Sequence, residues 1–367
     1  MRIAVLANLK KNAPHEPGCP EDKWADLDSE STIACLTDAL RQGGHETVFM
    51  EGDRTLWDNL QKWQPDLCFN ICEGHFGDAR EAQVPAMLEM LQIPYTGSKV
   101  LTLALALDKP MTKRVLDYHN LPSPAFQVFE SVDEDLDSDL LFPLFVKPSR
   151  EGTGMGVSVR SIVNTEAELR NELAEQLRRY REPILAERFI EGREITIGVI
   201  GNLKRPVGRR ILDGASLDYL ANGLRFLPPL EVDMGAYDVS EGGIYSHRLK
   251  VDLVNDFHYL CPAPMDDDLL KRLQWLTAAT FRVTGCLDVA RVDFRLDAHD
   301  GNKPYILEIN PLPGLSPGIS DLVIEAWAAG IDYVSLINMI VAQALQRYDI
   351  VPSPALYFSF DKCVSPE

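Results

Sequence analysis

Two short stretches in the last quarter of the chain carry oxygen and nitrogen groups at strand spacing. In Val289-Ala290-Arg291-Val292-Asp293-Phe294, strand alternation puts Val292 and Phe294 on one face and Arg291 and Asp293 on the other. In Ile306-Leu307-Glu308-Ile309-Asn310, Glu308 and Asn310 likewise share a face. If the two strands are neighbours, Asp293, Glu308 and Asn310 converge on one point. Two carboxylates and an amide suit Mg²⁺, which typically takes one or two carboxylates plus substrate phosphates; Mn²⁺ is the other candidate. Arg291 beside them is placed to meet a developing negative charge. The plain alternative is a solvated polar strand face.

A second constellation is the glycine-rich run Lys147-Pro148-Ser149-Arg150-Glu151-Gly152-Thr153-Gly154-Met155-Gly156. Its glycines let the backbone approach a ligand closely, and successive N–H groups can form a concave nest for an anion. It lacks the Gly-Lys-Ser/Thr ending of a P-loop and reads as joining strand to strand, not strand to helix. That placement suggests a lid over phosphates, with Lys147 closing the preceding apolar strand. A glycine hairpin without a ligand is the competing reading. Gly314-Leu315-Ser316-Pro317-Gly318 matches G-x-S-x-G, the nucleophile elbow of α/β-hydrolases. Pro317 has no N–H for an oxyanion hole, and no histidine follows His299, so a hydrolase is rejected.

The elements that must position these groups alternate strand and helix at the start. Strand candidates are Ile3–Ala7, Thr47–Met50 and Asp66–Ile71; helices are predicted over Thr32–Gln42, ended by Gly43-Gly44, and over Glu81–Leu91. That rhythm implies α/β architecture with a parallel sheet. No G-x-G-x-x-G follows the first strand, so dinucleotide binding is weakly supported. Further on come a helix over Pro110–Tyr118, an acidic loop Asp133–Asp139, a strand over Leu141–Lys147 and another over Val157–Val159. A helix starts at the capping pattern Thr165-x-x-Glu168. Ile195–Ile200, Val289–Leu296 and Tyr305–Ile309 read as strands. The long Gly/Pro-rich stretch Asp213–Asp256 shows no clear period, which points to a functional or disordered segment. Trp24, Trp57 and Trp63 read as packing residues.

Composition bounds the partners. The 367 residues hold 36 Lys+Arg against 55 Asp+Glu, a formal charge of −19, which argues against nucleic acid or an anionic membrane as the main partner. A small anionic ligand needs only a few local cations. Seven cysteines at 19, 35, 68, 72, 261, 286 and 363 contain no Cys-x-x-Cys pair and read as thiols in a reducing compartment. With no signal-peptide core and no long apolar run, a cytoplasmic location is expected.

With these residues in place, the chain resembles the ATP-grasp ligases, and among them the D-alanine–D-alanine ligase family. The resemblance runs through MLEMLQIPYTGS (Met87–Ser98), ALDK (Ala106–Lys109), VKPSREGTGMGVSV (Val146–Val159), RFIEGREITIGVIG (Arg188–Gly201), GCLDVARVDFRLD (Gly285–Asp297) and YILEINPLPGLS (Tyr305–Ser316). It implies an ATP-grasp fold in three parts: a Rossmann-like preATP-grasp domain at 1–107, a central α+β lid domain at 108–187, and a C-terminal domain at 188–350. A tail, 351–367, follows. ATP would lie between the last two domains.

Residue by residue, the resemblance makes Lys109 and Lys147 the ATP-phosphate lysines. Glu151, Gly152, Thr153, Gly154 and Gly156 fall in its phosphate-covering loop, with Thr153 replacing the usual serine and keeping a hydroxyl. Glu187, with backbone groups across Arg188, Phe189 and Ile190, would face the adenine, and Glu194 would hold the ribose. Asp293, Glu308 and Asn310 would bind two Mg²⁺, Arg291 would stabilise a tetrahedral intermediate, and Lys250 resembles the loop lysine near the γ-phosphate. Gly152–Gly156 and part of Asp213–Asp256 are the lid candidates. Substrate positions depart from the family. Its HG…EDGTLQG block reads here Cys72–Gln83, offering Glu73, His75, Arg80 and Glu81. Its N-terminal glutamate has only Asp26, Asp28 and Glu30 nearby, and its carboxylate-reading serine is Ile319, beside Gly314, Ser316 and Ser320. The loop tyrosine beside the lysine is missing. The expected activity is therefore ATP-dependent joining of a small-molecule carboxylate and an amine through an acyl phosphate. The partners would be other than two D-alanines, as in natural-product or mycosporine-type synthesis. Authentic D-alanine–D-alanine ligation for the cell wall and a non-catalytic nucleotide-binding regulator are the alternatives. A homodimer is the assembly the resemblance implies.

Overall fold

A computed structural model describes residues 1–14, 18–204, 215–232 and 259–351. Its first sheet is parallel and three-stranded, β1 (Arg2–Ala7), β2 (Glu46–Glu51) and β3 (Leu67–Asn70), in the order β2-β1-β3. Crossover helices cover both faces, so Ile3–Ala7 reads as a continuous apolar run and is wholly buried. Ile3, Val5 and Ala7 pack with Ile33, Leu36 and Leu40 of α1 (Glu30–Gln42), while Ala4 and Leu6 face Leu56 and Leu60 of α2 (Leu56–Trp63). Ser29 caps α1, its hydroxyl accepting from the Thr32 N–H at 3.1 Å. The βαβ rhythm thus gives the parallel sheet it predicts.

Helices α3 (Gln83–Leu91), α4 (Val100–Leu107) and α5 (Lys109–Tyr118) lead to the second sheet. The α4 run VLTLALAL has no polar face, and periodicity gives no sign of it. Asp108 ends α4 and caps α5, accepting from the Met111 N–H at 2.9 Å, which fixes Lys109 at the start of α5.

The second sheet is antiparallel: β4 (Phe126–Phe129), β5 (Leu144–Pro148), β6 (Ile162–Val163) and β7 (Ile184–Arg188), in the order β4-β7-β5-β6. Helix α6 (Glu166–Tyr180) lays Leu169 and Leu173 on Val146 and Ile184. Two expectations are corrected. The strand predicted from Leu141 begins at Leu144, since Pro143 has no N–H to enter a ladder. The strand predicted at Val157–Val159 is instead an approach to a 3₁₀ turn, Val159–Ser161, because the Ser158 hydroxyl accepts from the Arg160 N–H and caps it. Thr165 does cap α6, but Glu168 reaches the Asn164 N–H, one residue before the cap.

The third sheet holds β8 (Gly192–Gly201), β9 (Leu224–Phe226), β10 (Leu230–Val232), β11 (Tyr259–Leu260), β12 (Val289–Asp297) and β13 (Lys303–Asn310). Its order is β11-β10-β8-β12-β13, with β9 also on β8 and every pair antiparallel. Helices α7 (Leu217–Ala221), α8 (Asp267–Thr284), α9 (Asp321–Ala328) and α10 (Tyr333–Arg347) complete it. Within the stretch that shows no clear period and reads as functional or disordered, α7, β9 and β10 form. Elements of three to five residues are too short to show a period. Its remainder, like Lys250 and the tail beyond 351, lies outside the described residues.

One buried knot ties the first and third sheets. The Asp288 carboxylate is fully buried and accepts from the Gly97 N–H at 2.9 Å, from Asn202 Nδ2 at 2.8 Å and from Arg347 Nη2 at 2.8 Å. Removing the guanidinium leaves a buried anion uncompensated. Arg347→Ala is expected to lower stability by about 3–5 kcal/mol in urea unfolding, with Arg347→Lys restoring part. No single helix among the described residues is long and apolar enough to cross a membrane. The pair α9 and α10 passes only when joined across a 105° bend, and its apolar residues belong to the core.

Candidate active site

Strands β12 and β13 bring the predicted carboxylates together. Asp293 pairs with Glu308 and Arg291 with Asn310 across the ladder, and the register slips after the Asp293–Glu308 pair. Alternation then points all four side chains toward one side of the sheet, where α9 follows. Asp293 is held four ways: Thr196 Oγ1 donates at 2.6 Å, Arg291 Nε and Nη2 at 2.9 Å each, and Asn310 Nδ2 at 2.9 Å. Arg291 Nη1 lies 3.2 Å from Asp321 Oδ2. Lys109 Nζ donates to the Glu151 carbonyl at 2.5 Å and stands 3.6 Å from Glu308, so it links the glycine-rich turn to β13.

The second lysine sits in a buried triad. Lys147 and Lys113 each approach the Glu187 carboxylate at 2.6 Å, and Lys113 also donates to Ser123 at 2.8 Å. Phe145 pairs with Glu187 across β5 and β7, and alternation brings Lys147 to the same face. Burial alone would raise the Glu187 carboxyl, but the two ammonium groups outweigh it and hold it below the usual range. Phe145 and Phe189 stack at 6.2 Å beside this triad and form a flat apolar wall.

The turn between β5 and the 3₁₀ segment is a pair of tight turns. The Met155 N–H donates to Gly152 at 2.9 Å and the Val157 N–H to Gly154 at 3.1 Å. Thr153 and Gly154 are both left-handed, with φ of 53° and 70°, the backbone shape that gathers N–H groups into a nest. Gly156 is a correction. Its N–H is spent on Asp22 at 2.9 Å, and it exists to clear Pro148, 2.7 Å from where a Cβ would stand.

These groups enclose two adjoining cavities. The first, about 120 Å³, is lined by Lys109, Lys147, Glu151–Gly154, Glu187–Ile190, Glu194, Arg291, Asp293 and Glu308. The second, about 580 Å³, shares Lys109, Arg291 and Glu308 and adds Asn310, Glu73, Glu81, Gly314, Ser316 and Ser320. The other two substrate candidates are not among the lining residues. His75 packs edge-on against Trp24 at 5.6 Å. Arg80 is buried in ion pairs with Asp26 at 3.1 Å and Glu151 at 3.0 Å, and donates to the Arg150 carbonyl at 2.9 Å. It therefore straps the glycine-rich turn to the N-terminal segment. Among the described residues no three His, Cys, Asp or Glu side chains gather in metal-holding geometry. Two carboxylates and an amide on facing strands are nevertheless a hard-oxygen set that fits Mg²⁺ once ligand oxygens complete it.

The second cavity is acidic. Burial, then Asp26, pushes the Asp28 carboxyl up to about 7. Burial also lifts Glu81 to about 7 and, with the nearby Glu81, holds Glu73 well above the carboxylate range. A folded-state pKa above the unfolded 3.8 means that the native chain keeps a proton which the unfolded chain has lost. Stability from Asp28 is thus full below pH 3.8 and falls as pH rises to about 7. Asp28→Asn is expected to flatten that part of the curve and raise Tm at pH 8 by a few degrees, measured by thermal melts from pH 4 to 8.

Sequence reasoning missed several supports. Lys113 lies four residues after Lys109 on α5, and that spacing was its only signal. Thr196 and Asp321 reach Asp293 and Arg291 from β8 and α9, and no local spacing announces such contacts. With its family match and its relatives, the fold is that of an ATP-grasp enzyme, an ATP-dependent ligase forming a C–N bond. Residues 114–223 and 231–342 match the family described as D-ala D-ala ligase C-terminus, and the chain belongs to the D-alanine–D-alanine ligase family. A protein called D-alanine–D-alanine ligase from Syntrophotalea carbinolica is 34% identical over 316 residues, covering 86% of this chain and 91% of that one. The uncharacterised protein y4sG of Sinorhizobium fredii is 33% identical over 362 residues, covering 95% and 98%. The D-alanine–D-alanine ligase of Bacillus anthracis, solved with ATP, superposes with a TM-score of 0.67 at 24% identity, covering 95% and 99%.

Proposed function

We propose that this enzyme activates a substrate carboxylate with ATP and joins it to an amine, the pair being other than two D-alanines. The observation that carries the reading is the convergence of Lys109, Lys147, the Thr153–Gly154 nest and the Asp293/Glu308/Asn310 set on one pair of cavities. The triphosphate would lie along Lys109 and Lys147 under the nest. The adenine would rest against the wall of Phe145 and Phe189, near Glu187 and the Arg188–Ile190 backbone, with Glu194 on the ribose. Asp293, Glu308 and Asn310 would hold the Mg²⁺, whose contribution is to neutralise phosphate charge.

In the first step a carboxylate oxygen attacks the γ-phosphorus and the bond to the β-bridging oxygen breaks, giving an acyl phosphate and ADP. Positioning and charge neutralisation carry such a transfer, and Lys109 and Lys147 supply both. In the second, the amine nitrogen attacks the carbonyl carbon, a proton leaves the nitrogen, and the C–O bond to phosphate breaks. Arg291 would donate to the transient oxyanion. Exclusion of water preserves the acyl phosphate, and the buried Arg80 strap holds the turn shut over the site.

The departure from two D-alanines is supported by Ile319 where the family reads a carboxylate, and by Arg80 paired to Asp26 where the family's block is acidic. The names of the relatives favour the second reading, D-alanine–D-alanine ligation. Incubation with ATP, Mg²⁺ and D-alanine separates the two. Little dipeptide, with ADP release on other acid–amine pairs, is expected; abundant D-alanyl-D-alanine gives the second reading. We place the enzyme in the cytoplasm, as a homodimer.

A further inference from the structure

The carboxylate at the centre of the metal set is held from a strand outside that set. Thr196 lies in the middle of β8, paired with Asp293 on β12 and with Leu230 on β10, so its backbone is fixed from both sides. Alternation turns Ile195 and Ile197 into the core and Glu194 and Thr196 toward the first cavity, whose wall both of them line. Thr196 is only 6% exposed, and its β-branch makes χ1 stiff. A hydroxyl has one hydrogen to give. Here the oxygen lies 2.6 Å from Asp293 Oδ1 and 3.4 Å from the Val292 carbonyl, so the hydrogen goes to the carboxylate.

Asp293 has four donors on its two oxygens. Oδ1 accepts from Thr196 and from Arg291 Nε, and Oδ2 accepts from Arg291 Nη2 and Asn310 Nδ2, the last three at 2.9 Å each. A carboxylate has about four lone-pair sites, so a metal ion that binds this one must displace a donor. The four donors are not equally replaceable. Thr196 and Arg291 hold Oδ1 from β8 and from Asp293's own strand, and neither belongs to the metal set. Asn310 does belong to it, and turning its amide to present the oxygen gives up the Nδ2 bond and opens Oδ2. Oδ1 then stays anchored, which fixes where Oδ2 stands. Mg²⁺ demands near-ideal octahedral geometry, whereas Ca²⁺ accepts a variable number of ligands in flexible geometry. Loss of the anchor therefore costs Mg²⁺ more than Ca²⁺.

We propose that Thr196 is a positioning residue for the metal ion: its hydroxyl holds Asp293 in the orientation that Mg²⁺ requires, and so favours Mg²⁺ over Ca²⁺. The inference rests on the Mg²⁺ part of the ligase reading, and its test is metal binding, not turnover. Purified enzyme is loaded with the ATP analogue that has an imido β,γ-bridge. Bound Mn²⁺ is counted by electron paramagnetic resonance, with Mg²⁺ and Ca²⁺ titrated as competitors. Hydrogen-bond partners of metal ligands are typically worth about 10- to 100-fold in affinity. Thr196→Val is thus expected to weaken Mn²⁺ and Mg²⁺ by about 10-fold or more and Ca²⁺ by less, so that the preference for Mg²⁺ falls. Thr196→Ser keeps the hydroxyl and should keep most of the affinity and the preference. A general structural defect would weaken all three ions together, and serine would not rescue it. A folded Thr196→Val with unchanged Mg²⁺ affinity, or with all three ions weakened equally, overturns the inference and leaves the metal reading intact. If the valine variant does not fold, Thr196→Ala is compared with Thr196→Ser: tighter Mg²⁺ binding by serine supports the inference, and equal binding overturns it. If the wild-type enzyme with the analogue holds no Mn²⁺ beyond what the analogue binds alone, the metal reading falls and the inference with it.

Discussion

Arg291→Gln is expected to lower the rate of amide formation by about 100- to 1,000-fold, the usual cost of a lost oxyanion donor. Two features make the effect large. The guanidinium still has N–H groups to offer the transition state, and its fork orients Asp293 through two bonds of 2.9 Å. Glutamine reproduces neither the charge nor the fork. Lysine retains the charge but not the planar geometry, so Arg291→Lys should recover little. Because Arg291 is proposed to act after phosphoryl transfer, binding of ATP should change little. The check is single-turnover kinetics, with ADP and amide followed separately. Amide formation should slow more than ADP formation. Equal slowing would put Arg291 in the first step instead.

The second large effect is expected at the facing carboxylates. Asp293→Asn combined with Glu308→Gln removes both anionic oxygens from a set whose remaining member is an amide. Metal stabilisation of phosphoryl transfer is worth several kcal/mol, so ADP release in Mg²⁺ should fall by about 1,000-fold or more. The single variants should show a raised Mg²⁺ requirement before they show a full loss, because each leaves one carboxylate. Titration of ADP release against Mg²⁺ and Mn²⁺ reads this directly. Unchanged Mg²⁺ dependence in both single variants would remove the metal assignment.

What was legible in the sequence follows the length over which a pattern repeats. Thr32–Gln42 and the β12 and β13 strands carry periods long enough to read, and the two strands' faces bring Asp293, Glu308, Asn310 and Arg291 to one side; Ile3–Ala7 was legible as a short apolar run at strand length. The glycine-rich turn was legible by composition, and its two left-handed residues are Thr153 and Gly154. Gly156 looked the same in sequence but serves packing and the Asp22 contact. Short elements were missed for the opposite reason. Three residues of β9 or the uniformly apolar α4 show no period to detect.

Contacts between distant segments were beyond reach of spacing. Arg80 stands in a block matched only by position, and its buried pairs with Asp26 and Glu151 depend on two other segments arriving beside it. His75 shows the converse. A histidine in a loop near a site invites a functional role, yet its ring is packed against Trp24. The formal charge of −19 likewise describes the whole chain, while Lys109, Lys147 and Arg291 are gathered in the lining of the first cavity.

The central claim is that a carboxylate is activated as an acyl phosphate, and oxygen tracing tests it most directly. With both oxygens of the donor carboxylate labelled as ¹⁸O, the enzyme is incubated with ATP, Mg²⁺ and an acceptor amine, and the inorganic phosphate and nucleotide are examined by mass spectrometry. Acyl-phosphate chemistry transfers a single ¹⁸O into inorganic phosphate and leaves ADP unlabelled. Label in AMP, or phosphate carrying no ¹⁸O while amide forms, would contradict the account.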